Sequence, residues 1–234
     1  MKLSIIIPTY NEEKTIEAII KRVKSVKLPK NIKKEIIVVD DASNDQTQHY
    51  LRDIKDIVIK RHHVNQGKGT AIRTGFKYAK GDIVLIQDAD MEYDPKYYPV
   101  LIQPIVSGNK KVVYGTRLKD YPLKLAGSKK TPLITHYIGN KFLTLVTNIL
   151  YGSKVTDMET GYKVFHISVL KGIRINAKRF DFEPEITAKI LKRGYKIHEV
   201  PIKVNLRGYD EGKKITWRDG FIAVWTLIRY KFFD

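Results

Sequence analysis

Short apolar runs and amphipathic stretches alternate through the first half of the chain, and that alternation limits the folds open to it. Leu3 to Ile7 reads as a strand stopped by Pro8, and Thr15 to Val26 as a helix with Ile16, Ile19, Ile20 and Val23 on one face. Glu35 to Val39 is a second buried strand, ending at Asp40-Asp41-Ala42-Ser43. A helix around Asp45 to Arg52 follows, then a strand at Ile57 to Lys60, a helix from Thr70 to Ala79 opened by Gly67-Lys68-Gly69, and a strand at Ile83 to Ile86. Strand and helix in strict alternation predict an α/β domain with a mostly parallel sheet flanked by helices. Ligands of such sheets bind beyond the carboxyl ends of the strands. Pro8 to Glu12, Asp40 to Asp45 and Asp88 to Glu92 are all expected to converge there.

With 234 residues the chain suits one substantial core. It has no cysteine, which excludes disulfides and thiolate metal sites. The formal charge of +18 and the pI near 9.8 point to a polyanionic partner: nucleic acid, an anionic membrane or a phosphorylated substrate. Met1-Lys2-Leu3-Ser4 runs directly into a strand rather than a signal peptide. No apolar run reaches the roughly 20 residues that span a bilayer. A place at the cytoplasmic face, soluble or bound to the membrane surface, is therefore expected.

The most chemically loaded stretch is Asp82 to Glu92. If its backbone stays extended, Asp88, Asp90 and Glu92 point to one side. Three oxygen ligands at a strand end suit a hard divalent cation, Mg²⁺ or Mn²⁺, although an acidic loop would give the same letters. Asn11 fits a helix cap and Pro8 a strand stop. Gly67 and Gly69 permit close backbone approach, with Lys68 as a neighbour for a diphosphate. The adjacent His62 and His63 read as structural or solvated.

Several of these segments together resemble the family 2 glycosyltransferases: Ile5-Ile6-Ile7-Pro8-Thr9-Tyr10-Asn11-Glu12-Glu13, Val38-Val39-Asp40-Asp41-Ala42-Ser43, Asn65-Gln66-Gly67-Lys68-Gly69 and Asp88-Ala89-Asp90. Tyr114-Gly115-Thr116-Arg117, Thr156-Asp157-Met158-Glu159-Thr160-Gly161-Tyr162-Lys163 and Glu199-Val200-Pro201-Ile202 narrow the resemblance to the branch of dolichol-phosphate mannose synthases and polyprenyl-phosphate glucosyltransferases. The resemblance implies a single GT-A-like domain and an inverting, metal-dependent transfer of a hexose from a nucleoside-diphosphate sugar, of the GDP-mannose or UDP-glucose type, to a polyprenyl or dolichyl phosphate. It also implies a nucleotide-sugar pocket at Pro8, Tyr10, Glu12, Lys68, Ala89 and one of Asp40 and Asp41. Asp88 and Asp90 then hold the metal, with Glu92 where the branch commonly has glutamine, and Arg117 joins the two aspartates in catalysis. In this scheme residues 1–110 form the donor and metal half, 111–214 the acceptor half and 215–234 a terminal amphipathic helix.

From Lys110 to Lys130 seven cations face the single acid Asp120, either a solvated loop or a cradle for a lipid phosphate. Arg117, Lys129, Lys130, Arg207 and Lys213 are the candidate contacts to that phosphate. A phosphate monoester is already an oxyanion near pH 7, since its second pKa is about 6, so this acceptor needs cations and alignment more than a base. Asp157 and Glu159 read as structural or sugar-positioning groups, with catalytic base as the other reading. Glu183 and Glu185 either favour a helix N-terminus or touch the sugar. Ile134 to Tyr151 and the aromatic, basic tail from Thr216 to Phe233 suit contact with a membrane surface, packing on the domain, or docking to a membrane-protein partner. Two rival functions are a family 2 enzyme with a sugar or polysaccharide acceptor and a basic nucleic-acid-binding protein. The second is disfavoured, because no recognised nucleic-acid-binding pattern is present.

Overall fold

A computed structural model describes residues 1–118, 134–205 and 217–233. Seven strands form one sheet in the order β3-β2-β1-β4-β6-β5-β7: β1 (Lys2–Thr9), β2 (Lys33–Asp40), β3 (Val58–Arg61), β4 (Ile83–Ile86), β5 (Val112–Thr116), β6 (Lys163–His166) and β7 (His198–Pro201). Only β6 runs antiparallel to its neighbours, β4 and β5, so the other six strands end on one edge. The sheet is continuous across both halves of the chain.

Alternation along the strands sorts the core into two faces. Leu3, Ile5 and Ile7 join Ile36, Val38, Ile83 and Leu85 under α1 (Ile16–Ser25) and α4 (Tyr98–Val106). On the opposite face Ile86, Val112, Tyr114 and Phe165 pack against Ile72 of α3 (Lys68–Tyr78) and against Phe182, Ile186 and Ile190 of α7 (Phe182–Lys192). The short α2 (Thr47–Arg52) and α6 (Ile167–Leu170) complete the cover. A third cluster joins Leu143 of α5 (Ile134–Tyr151) to Ala188 of α7 and to Ala223, Leu227 and Tyr230 of α8 (Trp217–Phe232). The terminal helix therefore packs on the domain along one side.

Two local expectations are corrected. Pro8 does not stop the first strand, which runs on to Thr9 with Pro8 opposite Val39. Ile6 O accepts from Gln87 N and Thr9 O from Asp41 N, so residue 8 faces the β4 side. There β4 has already ended at Ile86, and the missing N–H leaves no ladder bond unmade. Asn11 does not cap α1 either. It sits at φ 52° and its Oδ1 accepts from Asn44 N, which ties the first loop to the second.

Candidate active site

The ends of β1, β2, β4 and β5 bring the predicted segments to one edge, where a buried polar scaffold fixes them. Gln87 follows β4 and is fully buried; its Oε1 accepts from Tyr98 Oη at 2.7 Å and from Tyr162 Oη at 2.8 Å. Its Nε2 donates to the carbonyls of Asp88 and Tyr93. One amide thus holds the turn that carries the acidic residues. Residue typing alone does not single out Gln87; its place between a buried strand and an acidic turn is the available signal.

That turn is tighter than an extended strand. The chain bends at Ala89-Asp90, Met91 takes φ 67°, and Asp90 Oδ1 accepts from Glu92 N at 3.1 Å. Asp88, Asp90 and Glu92 therefore do not share a strand face, and among the described residues no three acidic or histidine side chains gather as a metal site. Ala89 is buried in the main core rather than open to a pocket. Two carboxylates with phosphate oxygens and water are nevertheless a sufficient donor set for Mg²⁺. Asp88 fits that role: a Cβ on Gly161 would collide with Asp88 Oδ2, so the glycine leaves the carboxylate its place.

Asp40 and Asp41 separate into different jobs. Asp41 accepts from His62 Nδ1 at 2.6 Å, Gln66 N at 2.9 Å and Gly67 N at 2.7 Å, so both of its oxygens are committed to the loop before α3. His62 is bound on its other side to Thr74 Oγ1, a structural role. Asp40 Oδ1 accepts from Ser43 N, whereas its buried Oδ2 has no hydrogen-bond partner among the described residues; Arg61 Nε lies 3.2 Å away without hydrogen-bond alignment. Of the two aspartates, Asp40 is the one with an oxygen left outside the loop's hydrogen bonds, ion-paired with Arg61.

The glycines of Gly67-Lys68-Gly69 admit protein backbone rather than phosphate. A Cβ on Gly67, which has φ 91°, would strike Lys178 O, and one on Gly69 would lie 2.7 Å from Ala177 O. Lys68 reaches Asp88 Oδ1 at 2.9 Å and Glu183 Oε1 at 2.8 Å. Burial opposes its charge, but the two carboxylates outweigh burial and hold the ammonium well above the ordinary lysine range. In the first loop Pro8 is buried, Tyr10 is half-buried, and Glu12 Oε2 accepts from Thr15 Oγ1.

Arg117 is anchored rather than open. Its Nε and Nη2 each donate at 2.7 Å to the two oxygens of Asp157, which also accepts from Arg117 N at 2.9 Å. Asp157 is 0% exposed and the Arg117 side chain 14%. Glu199 in turn holds the Asp157 loop by accepting from Thr156 N and Asp157 N. Glu159 lies nearby with a buried Oε1 that has no hydrogen-bond partner among the described residues; burial first, then the neighbouring Glu183, raises its carboxyl to about 8. Lys163 donates to the carbonyls of Met158 and Thr160, and burial lowers its ammonium to about 8. Glu185 is structural, accepting from Asn176 N and Lys189 Nζ. Lys129, Lys130, Arg207 and Lys213 lie outside the described residues.

The helix pair α5 and α8 has an uncovered apolar side. Ile138, Phe142, Leu145 and Ile149 recur at helical spacing on α5 and are more than half exposed, as are Phe221 and Trp225 on α8. Lys141, Arg218, Arg229 and Lys231 lie on the same two helices. No helix among the described residues is long and apolar enough to cross a membrane.

Residues 4–174 match the family model described as Glycosyl transferase family 2. A UDP-N-acetylglucosamine–dolichyl-phosphate N-acetylglucosaminyltransferase of Methanococcus voltae is 31% identical, over 97% of this chain and 95% of that protein. A dolichol-phosphate mannosyltransferase of Pyrococcus furiosus is 29% identical over 91% of this chain and 59% of its own length. Among solved structures, glucosyl-3-phosphoglycerate synthase from Mycobacterium tuberculosis, in complex with Mn²⁺, UDP and phosphoglyceric acid, superposes with a TM-score of 0.75 at 20% identity. The superposition covers 100% of this chain and 79% of that one, a likeness of fold.

Proposed function

The chain belongs to glycosyl transferase family 2, and from that premise we propose that it moves a hexose from a nucleoside-diphosphate sugar to a polyprenyl phosphate of the dolichyl type. The observation that carries the acceptor assignment is the state of the two candidate bases. Asp157 is fully buried with both oxygens bonded to Arg117, and burial beside Glu183 raises the Glu159 carboxyl and disfavours its charged form. A sugar hydroxyl would need one of them to take its proton. A lipid phosphate brings its own oxyanion. The named activities of the Methanococcus and Pyrococcus relatives support the same acceptor.

In the reaction, a phosphate oxygen of the acceptor attacks the anomeric carbon opposite the nucleoside diphosphate. The new C–O bond forms as the bond to the diphosphate breaks, inverting the carbon. The residues divide the work by position. Asp40 Oδ2, which makes no hydrogen bond among the described residues and is ion-paired with Arg61, is the acceptor assigned to an N–H of the base. Asp88 and Asp90 would hold a divalent cation, Mg²⁺ or Mn²⁺, which when bound neutralises charge on the departing diphosphate. Lys68 adds a cation beside Asp88. Arg117 holds the Asp157 loop at the site through its bidentate pair, which makes it a positioning residue before it is a ligand of the acceptor.

The exposed side of α5 and α8 supplies a surface for the lipid. Large aromatic and aliphatic groups beside cations suit the headgroup plane of an anionic membrane, where each cation contributes on the order of 1 kcal/mol. Peripheral attachment at the membrane face that presents the donor follows. Two measurements test this reading. A thermal-shift screen of UDP and GDP should find stabilisation that depends on Mn²⁺ and is lost in Asp90→Asn. Sedimentation with anionic liposomes should weaken in Phe142→Ser/Trp225→Ser with circular dichroism unchanged. Metal-independent nucleotide binding would sink the first half, and undiminished sedimentation the second.

A further inference from the structure

The acidic pair at the donor site is already bridged by a cation of the chain itself. Lys68 opens α3, with its ammonium 2.9 Å from Asp88 after β4 and 2.8 Å from Glu183 at the start of α7. Three elements from distant parts of the sequence meet at that one nitrogen. The arrangement is tightly constrained. Gly67 is pressed against Lys178 O, which fixes the root of α3, and Gly161 leaves no slack beside the Asp88 carboxylate. Glu183 is buried, and its second oxygen has no hydrogen-bond partner among the described residues.

A divalent cation on Asp88 would stand within a few ångströms of this ammonium. Like charges that close repel strongly in a site partly shielded from water. Metal and Lys68 therefore compete for Asp88 while no nucleotide is bound. An entering diphosphate changes the balance, because it brings new oxygens for both cations.

We propose that Lys68 is the resident counter-cation of the donor site, excluding divalent metal from Asp88 until a nucleoside diphosphate draws its ammonium away. On leaving Asp88 the ammonium keeps Glu183 as its anchor and turns to the diphosphate. Metal and nucleotide then bind with positive coupling, each tightening the other by the same factor, as linkage requires. The proposal rests on the assignment of Asp88 to the metal made above.

The test is Mn²⁺ binding by the full chain, read from the paramagnetic resonance signal of free aquo-Mn²⁺, alone and with UDP or GDP. The unmodified protein should bind Mn²⁺ weakly alone and on the order of tenfold to a hundredfold more tightly with the preferred nucleotide. Lys68→Met should tighten Mn²⁺ binding alone by about tenfold and shrink the nucleotide effect to match; Lys68→Gln should do the same should the methionine variant fail to fold. Lys68→Arg keeps the charge and should retain weak metal-only binding. Mn²⁺ affinity that is unchanged or lower in a folded Met or Gln variant overturns the proposal. Asp88→Asn separates the two ideas. Nucleotide-dependent Mn²⁺ binding that survives Asp88→Asn removes the metal assignment itself, whereas binding that needs Asp88 but ignores Lys68 removes only the counter-cation.

Discussion

Replacing Arg117 with alanine should damage stability first and catalysis second. The substitution deletes two charge-assisted hydrogen bonds of 2.7 Å and leaves Asp157, 0% exposed, with one backbone N–H. Breaking a buried pair from one side costs about 3–5 kcal/mol, because the remaining charge stays desolvated. For a domain of this size each kcal/mol lowers Tm by about 2–4 °C. The expected loss is therefore about 10 °C, read by urea denaturation and calorimetry with an unchanged m-value. Arg117→Lys should fall between, because an ammonium cannot form two parallel bonds to one carboxylate. The double variant Arg117→Met/Asp157→Leu should recover most of the stability, since no buried charge is left over. A stability loss under 1 kcal/mol in Arg117→Ala, with acceptor binding abolished, would refute this reasoning and return Arg117 to a direct phosphate contact.

Three further outcomes follow from individual contacts. Asp41→Asn should cost about 2 kcal/mol of unfolding free energy through the loop before α3, whereas Asp40→Asn, which gives up only the half-exposed Arg61 ion pair, should cost less and weaken nucleotide binding at least tenfold by calorimetry. Gly161→Ala should push Asp88 out of place, costing about 1–3 kcal/mol and weakening Mn²⁺-dependent nucleotide binding more than metal-free binding. The carboxyl of Glu159 is raised in the folded state, so its stabilising contribution is complete below its ordinary 4.5 and is lost as pH climbs toward about 8. Glu159→Gln should therefore gain on the unmodified protein by up to about 1 kcal/mol per pH unit across that window, and parallel stability curves would contradict the assignment.

The fold was legible because strand and helix periods are written in apolar spacing. Ile16, Ile19, Ile20 and Val23 form the buried face of α1 as their spacing predicts, and the segments ending β1, β2 and β4 meet at one edge. The antiparallel β6 was not legible: Lys163 to His166 is four residues long, and its partners lie far away in sequence. The site's residue types were readable, but their commitments were not. No spacing rule shows that Asp41 spends both oxygens on a loop, that Arg117 is locked to Asp157, or that Gly67 and Gly69 make room for residues 177 and 178. Those facts depend on long-range packing. The chain's bend at Ala89-Asp90 likewise took Glu92 off the strand face expected for Asp88 and Asp90, a local turn that the acidic pattern does not encode.

The most direct test of the central claim offers radiolabelled UDP- and GDP-hexoses with Mn²⁺ and either a polyprenyl phosphate or a soluble oligosaccharide, then partitions the product between organic and aqueous phases. Label should pass into the organic phase only with the polyprenyl phosphate, and only when Asp88 and Asp90 are intact. Label transferred to the oligosaccharide alone would contradict the account.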